Sequence, residues 1–262
     1  MGIRLPLLAA LALCTPLLAG AAPAEMPPPE APFAASSRGA PSPLDTMLPA
    51  APEGIPDWRV PPESRRSRSV GAPNDGRLEH GVPLPLEGPG FVRFDRDSHY
   101  GTDETIALIE YAAARLALAF PGTAPMLVGA ISREEGGKLP HHRSHRTGRD
   151  VDIAFFERGN VGRTLFNEAL TADDVDYAKS WFVLEALITT GRVEYVFADH
   201  SLHAGLMAAA REAGWDEDTL DAFFLLEDES GYRGIIRHAP GHLAHFHVRF
   251  RCPEGDADCE SY

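Results

Sequence analysis

The sequence predicts an α+β domain: a mostly antiparallel central sheet with flanking helices. Three observations carry this. Apolar residues recur at helical three-four spacing in some stretches and alternate with period two in others. The two kinds of stretch are mixed without the regular strand–helix alternation of a parallel α/β fold. Proline, glycine and polar clusters separate them at short intervals.

At the N-terminus, "MGIRLPLLAALALCTPLLAGAAPA" has one positive charge at Arg4, an apolar run from Leu5 and small residues at Ala19, Ala21, Ala22 and Ala24. This is the pattern of a secretory signal over residues 1–24 and implies a secreted, periplasmic protein. Pro16 breaks the run and no later segment reaches membrane-spanning length. Lipidation at Cys14 is disfavoured by bulky Leu13 and the short apolar run before it. Residues 25–78, with "PPPEAPFAASSRGAPSPLD" and "PPESRRSRS", are rich in Pro, Ala, Ser and Arg. Such a composition buries too little apolar surface to offset ordering entropy, so this stretch is read as a disordered tether. The folded domain is expected over 79–262.

Within it, Thr102 is the expected N-cap of a helix whose buried stripe is Ile106, Ile109, Ala113, Leu116 and Phe120, stopped by Pro121-Gly122. "MLVGAIS" (126–132) reads as a strand, followed by the long loop "REEGGKLPHHRSHRTG". "RDVDIAFF" is a strand with Val151, Ile153 and Phe155 on one face. "DYAKSWFVLEALITT" is a second helix, "VEYVFA" a strand and "SLHAGLMAAAREAG" a third helix ending at Gly214. "RGIIRH" and "AHFHVRF" are the last strands.

The net charge is −14 and Lys138 and Lys179 are the only lysines. An acidic chain without a long basic face is a poor nucleic-acid binder. "HHRSHRTGR" is locally basic, read either as a solvated loop or as an arginine-lined mouth for a carboxylate-bearing substrate.

His141, His142, His145, His238, His242, His245 and His247 are seven of the chain's 11 histidines. All but His238 fall in two windows, "HHRSHRTGRDVD" and "HLAHFHVR". If "RDVD" is extended, Asp150 and Asp152 share a face opposite Val151 and Ile153. Gly148 supplies the backbone freedom that returns His145 over Asp152. In "AHFHVRF", His245, His247 and Arg249 share one face and Phe246, Val248 and Phe250 the other. A catalytic zinc site takes three protein ligands and leaves a position for water. One histidine and one aspartate from the first window and one histidine from the second supply three, with a further histidine left to move protons. His141 and Asp150 are read as ordinary polar groups. No HExxH, GxSxG, phosphate loop or CxxC motif offers competing chemistry. Removal of the signal leaves Cys252 and Cys259, read as a disulfide worth roughly 2–3 kcal/mol, with a thiolate metal pair as the alternative.

"SHRTGRDVDIAFF" and "GHLAHFHVRFRCPEGDADC" resemble the penicillin-insensitive murein endopeptidases, within the zinc peptidases that include lysostaphin-type enzymes, D-Ala-D-Ala metallopeptidases and the hedgehog domain. The likeness runs from "HYGT" to the C-terminus and implies the hedgehog/D-Ala-D-Ala-peptidase-like core. It implies zinc held by His145, Asp152 and His247, His245 as the catalytic histidine, and His242 as a supporting active-site residue. His142 matches a further histidine that serves an accessory metal position. One zinc is expected and a second metal is not, because Asp173, Asp174 and Asp176, upstream of Trp181, lack an accompanying histidine. The implied reaction is hydrolysis of D-alanyl–meso-diaminopimelate crosslinks in peptidoglycan by a zinc-activated water, with a histidine as general base. β-Lactams acylate serine, which this chemistry does not use. Strand alternation offers Arg249 for a substrate carboxylate, with a structural salt bridge as the other reading. Two alternatives stand beside the endopeptidase: a D-Ala carboxypeptidase or dipeptidase of the same group, and a non-catalytic zinc domain that binds cell wall.

Overall fold

The computed structural model describes residues 55–60, 62–225 and 233–261. The expected signal, and the tether as far as residue 54, lie outside the described residues.

The N-terminal part holds short strands: β1 (Arg68–Ala72), β2 (Asp75–Glu79), β3 (Val82–Pro83), β4 (Glu87–Gly88), β5 (Phe91–Arg93) and β6 (Tyr100–Gly101). Then come α1 (Asp103–Ala119), β7 (Met126–Val128), β8 (Asp150–Ala154), α2 (Tyr177–Ile188) and β9 (Val193–Ala198). The chain continues through α3 (His203–Glu212), α4 (Glu217–Phe224), β10 (Ile236–His238) and β11 (His245–Phe250).

The central sheet has seven strands in the order β10-β9-β11-β8-β7-β5-β4. Only the β10/β9 and β5/β7 pairs are parallel; the remaining pairs are antiparallel. The expected α+β architecture around a mostly antiparallel sheet is therefore present. One apolar cluster fills the core. It joins Val151, Ile153, Phe246 and Val248 of the sheet to Ile109 and Leu116 of α1, Trp181 and Leu184 of α2, and Leu206 and Leu220 beyond.

Local signals act as read at α1. The Thr102 hydroxyl accepts the Thr105 N–H at 3.2 Å, and Ile106, Ile109, Ala113 and Leu116 are buried. Asp176 caps α2 by accepting the Lys179 N–H at 3.2 Å. Elsewhere the tertiary structure overrides the pattern. The strand expected over 126–132 stops at Val128. Beyond it Gly129 N–H bonds Asp152 O, Asp152 N–H bonds Ala130 O and Ile131 N–H bonds Ser98 O, at 2.8, 3.0 and 2.6 Å. The backbone stays satisfied while leaving the ladder. The expected third helix begins later, at His203, after a 3₁₀ turn over His200–Leu202. Helix α4 follows Gly214, where the sequence reading placed none.

The larger departure is upstream. Residues 55–78, assigned to the tether by composition, include β1 and most of β2, an antiparallel hairpin. The arginines and serines there are used in specific bonds. Ser67 N–H and Oγ–H both donate to Asp103 at the start of α1, at 2.8 and 2.5 Å. Arg65 pairs with Glu104 at 2.8 Å and also bonds Glu254 O. Charge-assisted hydrogen bonds fix a segment that apolar burial alone could not.

The C-terminus closes on the same hairpin. Cys252 and Cys259 form a disulfide with Cα atoms 5.8 Å apart. Gly71 N–H donates to Asp258 O at 2.7 Å, and Glu260 N–H donates to Gly71 O at 3.2 Å. Arg149, fully buried, ties the assembly together through bonds to Ser69 Oγ, Phe250 O and Glu260 O at 3.1, 2.8 and 2.7 Å. Among the described residues no helix is long and apolar enough to cross a membrane.

Candidate metal centre

Two strands place most of the site. β8 and β11 pair antiparallel with Asp152 opposite His247 and Asp150 opposite Arg249. Residues directly opposite across a ladder present their side chains on the same face at contact distance. The alternation within each strand thus becomes one face carrying Asp150, Asp152, His247 and Arg249, with Val151, Ile153, Phe246 and Val248 buried in the core.

His145 reaches this face from the loop before β8. The reversal is made in the left-handed region, with φ 65° at His145 and 73° at Gly148. At Gly148 the positive φ calls for glycine, and a Cβ would also crowd the Leu78 methyls at 2.9 Å. Strain at a non-glycine residue such as His145 persists only where its surroundings hold it. Here its N–H donates to Asp150 Oδ2 at 2.9 Å.

His145 Nε2, Asp152 Oδ1 and His247 Nδ1 form a triangle with edges of 3.0, 3.0 and 3.3 Å. A tetrahedral zinc ion with ligands at 2.0–2.1 Å has ligand–ligand edges of about 3.3 Å. The outer nitrogens explain which atoms face inward. His145 Nδ1–H donates to Ile131 O at 2.8 Å and His247 Nε2–H donates to Asp150 Oδ1 at 2.9 Å. Nε2 of His145 and Nδ1 of His247 are thus the ring nitrogens left to face Asp152. Three acceptor atoms at such distances repel unless a cation or proton lies between them, so the donor set fits a divalent metal. A backbone carbonyl and a carboxylate behind the two imidazoles are the usual support for metal-binding histidines.

The electrostatics agree. Burial opposes ionisation of both carboxylates, yet Arg249 and His247 hold Asp150, and His145 and His247 hold Asp152, well below the ordinary aspartate range. Burial also opposes charging of His247, but Asp150 and Asp152 outweigh it and push its pKa up to about 9. A proton and a metal ion would compete for the same Nδ1 lone pair, so metal binding there would release a proton.

The other histidines border this triangle. His142 Nδ1 stands 3.6 Å from Asp152 Oδ2, and His142, His145 and Asp152 together offer ligand atoms within 4.8 Å of one another. His245 turns Nε2 toward Asp152 Oδ1 at 3.9 Å. Its Nδ1 is buried without a hydrogen-bond partner, and burial pushes its pKa down to about 4. The ring is thus neutral near pH 7. His242 lies beside it with ring centroids 5.0 Å apart, its Nδ1 also buried without a partner. His141 is exposed.

Two readings change. Asp150, taken from sequence as an ordinary polar group, is fully buried and positions both His145 and His247. Arg249, offered for a substrate carboxylate, is 5% exposed and its Nε–H donates to Asp150 Oδ1 at 2.8 Å. The cross-strand salt bridge is the second of the two readings the sequence left open for Arg249. The basic loop likewise does not line a mouth with all its arginines: Arg149 is internal and Arg146 leans toward Asp75 at 3.9 Å. Asp174 and Asp176 cap local turns, bonding Thr171 and Lys179.

Phe166 escaped the sequence reading altogether. Its ring stacks on His245 at 4.7 Å with an interplanar angle of 11°, braced edge-on by Phe94 at 5.0 Å. Gly129 leaves the room, since a Cβ there would stand 2.5 Å from the Phe166 ring. Nothing in "TLFNEAL" announces this contact, whereas Asp150 and Arg249 were visible as alternation partners of Asp152 and His247.

The family profile described as penicillin-insensitive murein endopeptidase matches residues 69–209. Curated relatives share the chain's sequence over most of its length. A penicillin-insensitive murein endopeptidase of Haemophilus influenzae is 29% identical over 224 residues, 78% of this chain and 72% of the relative. That of Klebsiella pneumoniae is 26% identical over 211 residues, 74% and 70% of the two chains. That of Pectobacterium atrosepticum is 24% identical over 236 residues, 82% and 76%. The matched stretch spans more than half the chain and includes the loop and strand that carry His145 and Asp152, and on this basis the protein belongs to the penicillin-insensitive murein endopeptidase family.

Proposed function

We propose that this protein is a zinc-dependent murein DD-endopeptidase that hydrolyses D-alanyl–meso-diaminopimelate crosslinks between peptidoglycan stem peptides. Murein as the substrate class follows from the family and the names of the relatives. One observation supports the metal-dependent mechanism most directly: His145 Nε2, His247 Nδ1 and Asp152 Oδ1 stand 3.0–3.3 Å from one another, close to the edge lengths of a tetrahedral site.

Zinc bound by His145, Asp152 and His247 would polarise the scissile carbonyl and lower the pKa of water at the open position. Neutral His245, whose Nε2 points toward Asp152 at 3.9 Å, would be the general base, taking a proton from the attacking water and returning it to the leaving amine. His242, its ring 5.0 Å from that of His245, would support His245 or the reacting carbonyl. Asp150 and Arg249 act indirectly, by fixing the His247 tautomer. His142, on the second oxygen of Asp152, is the residue of this set suited to an accessory ion.

The same reading makes residues 1–24 a cleaved secretory signal and the protein periplasmic, with the following segment acting as a tether up to the β1–β2 hairpin.

The test is digestion of crosslinked muropeptides with and without chelator, resolved by chromatography. Loss of dimers with gain of monomers, abolished by chelation and restored by zinc, is expected. Shortened stems without dimer loss would make the protein a carboxypeptidase. Zinc uptake without any cleavage would make it a binding domain.

A further inference from the structure

Imidazoles also gather at a second place, outside the centre described above. The parallel strands β9 and β10 end in register, Ala198 beside His238, so both release the chain along one edge of the sheet. Asp199 and His200, which follow β9, therefore meet His238. The two histidine rings contact edge to face with centroids 4.9 Å apart, and His200 Nδ1 stands 3.7 Å from Asp199 Oδ1. One ligand atom from each of Asp199, His200 and His238 lies within 4.8 Å of the others. Both imidazoles are exposed, that of His200 at 73%.

We propose that Asp199, His200 and His238 form a second, solvent-open metal site for a divalent transition ion such as Zn²⁺, Ni²⁺ or Cu²⁺. Two imidazoles and one carboxylate suit these borderline ions, whereas Ca²⁺ and Mg²⁺ require oxygen-rich shells. Water completes the coordination.

Local bonds explain the placement of the site. Asp199 is held by Ser201, whose N–H and Oγ–H donate to Oδ1 at 3.0 and 2.8 Å. His238 Nδ1 accepts the His200 N–H at 3.0 Å. The same bond fixes the orientation of the His238 ring. Its exposure to solvent makes the site weaker than the buried centre, so it fills second.

Its position couples it to the active site. Asp199 N–H donates to His242 O at 2.8 Å, and Ala239 N–H donates to Ala198 O at 3.1 Å. An ion joining the ends of β9 and β10 fastens the turn that carries His242.

The test uses the full chain without a histidine tag, loaded with one equivalent of zinc and then equilibrated by dialysis against a range of Zn²⁺ concentrations. The wild type is expected to take up one equivalent more than a His200→Ala/His238→Ala variant, which keeps its crosslink cleavage at one equivalent. Equal uptake by the two proteins overturns the site. Should the double variant fail to fold, zinc-soaked crystals of the wild type decide by anomalous density: a peak among Asp199, His200 and His238 supports the site, and none there overturns it. The count does not depend on hydrolysis, so failure of the endopeptidase reading would leave this result intact.

Discussion

The two halves of the centre are held by different forces. On the β8–β11 side, His247, Asp152, Asp150 and Arg249 bond one another across an antiparallel ladder, and His145 is anchored by Ile131 O and Asp150. At the start of β11 and in the turn before it, His245 and His242 each keep a buried nitrogen without a hydrogen-bond partner, and His245 stacks on Phe166. A saturated network suits groups that must hold an ion in one geometry. Nitrogens left unpaired suit groups that must exchange protons and meet a substrate. On the proposed mechanism, retention of metal and transfer of protons would be separable properties of this site.

Variants of each half test that separation. The largest effect is expected from Asp152→Ala or His247→Ala: zinc content after dialysis falls to background and crosslink cleavage goes with it, as read by elemental analysis beside muropeptide chromatography. If either variant keeps a full equivalent, the strand half does not hold the metal. His245→Ala should keep its zinc yet lose about 10²–10⁴-fold in kcat, the usual worth of a positioned proton carrier. Loss of metal there would merge the two halves.

Asp150→Asn probes the support behind the ligands. It removes the carboxylate facing Arg249 and His247, so zinc affinity should drop about 10–100-fold in a chelator competition. Denaturant unfolding should show about 3–5 kcal/mol of lost stability from the buried charge left behind. Phe166→Ala should lower kcat by up to about 100-fold through misplacement of His245, with zinc content unchanged and partial recovery in Phe166→Tyr. Unaltered kcat would mean that the ring is packing alone. The mildest case is Cys252→Ser with Cys259→Ser, expected to cost about 2–3 kcal/mol of stability and to leave cleavage at 25 °C intact.

Legibility followed sequence distance. Within a strand, alternation in "RDVD" and "HFHVRF" was enough to sort core from site, and Thr102 and Gly148 could be assigned from local chemistry. The N-terminal boundary could not, because Ser67 and Arg65 gain their order from Asp103 and Glu104 far along the chain. Phe166 was invisible because an aromatic ring in a loop carries no periodic signal.

By itself, then, the sequence determined the strands that carry the site, their buried faces and a set of candidate metal ligands, since these follow from side-chain chemistry and backbone period. Only the tertiary structure decided that Asp152 faces His247, that Arg249 is taken up by Asp150 and that Phe166 covers His245. Each of those depends on strand register or loop packing between residues distant in the chain, and register is set by the whole buried sheet rather than by any one stretch of it.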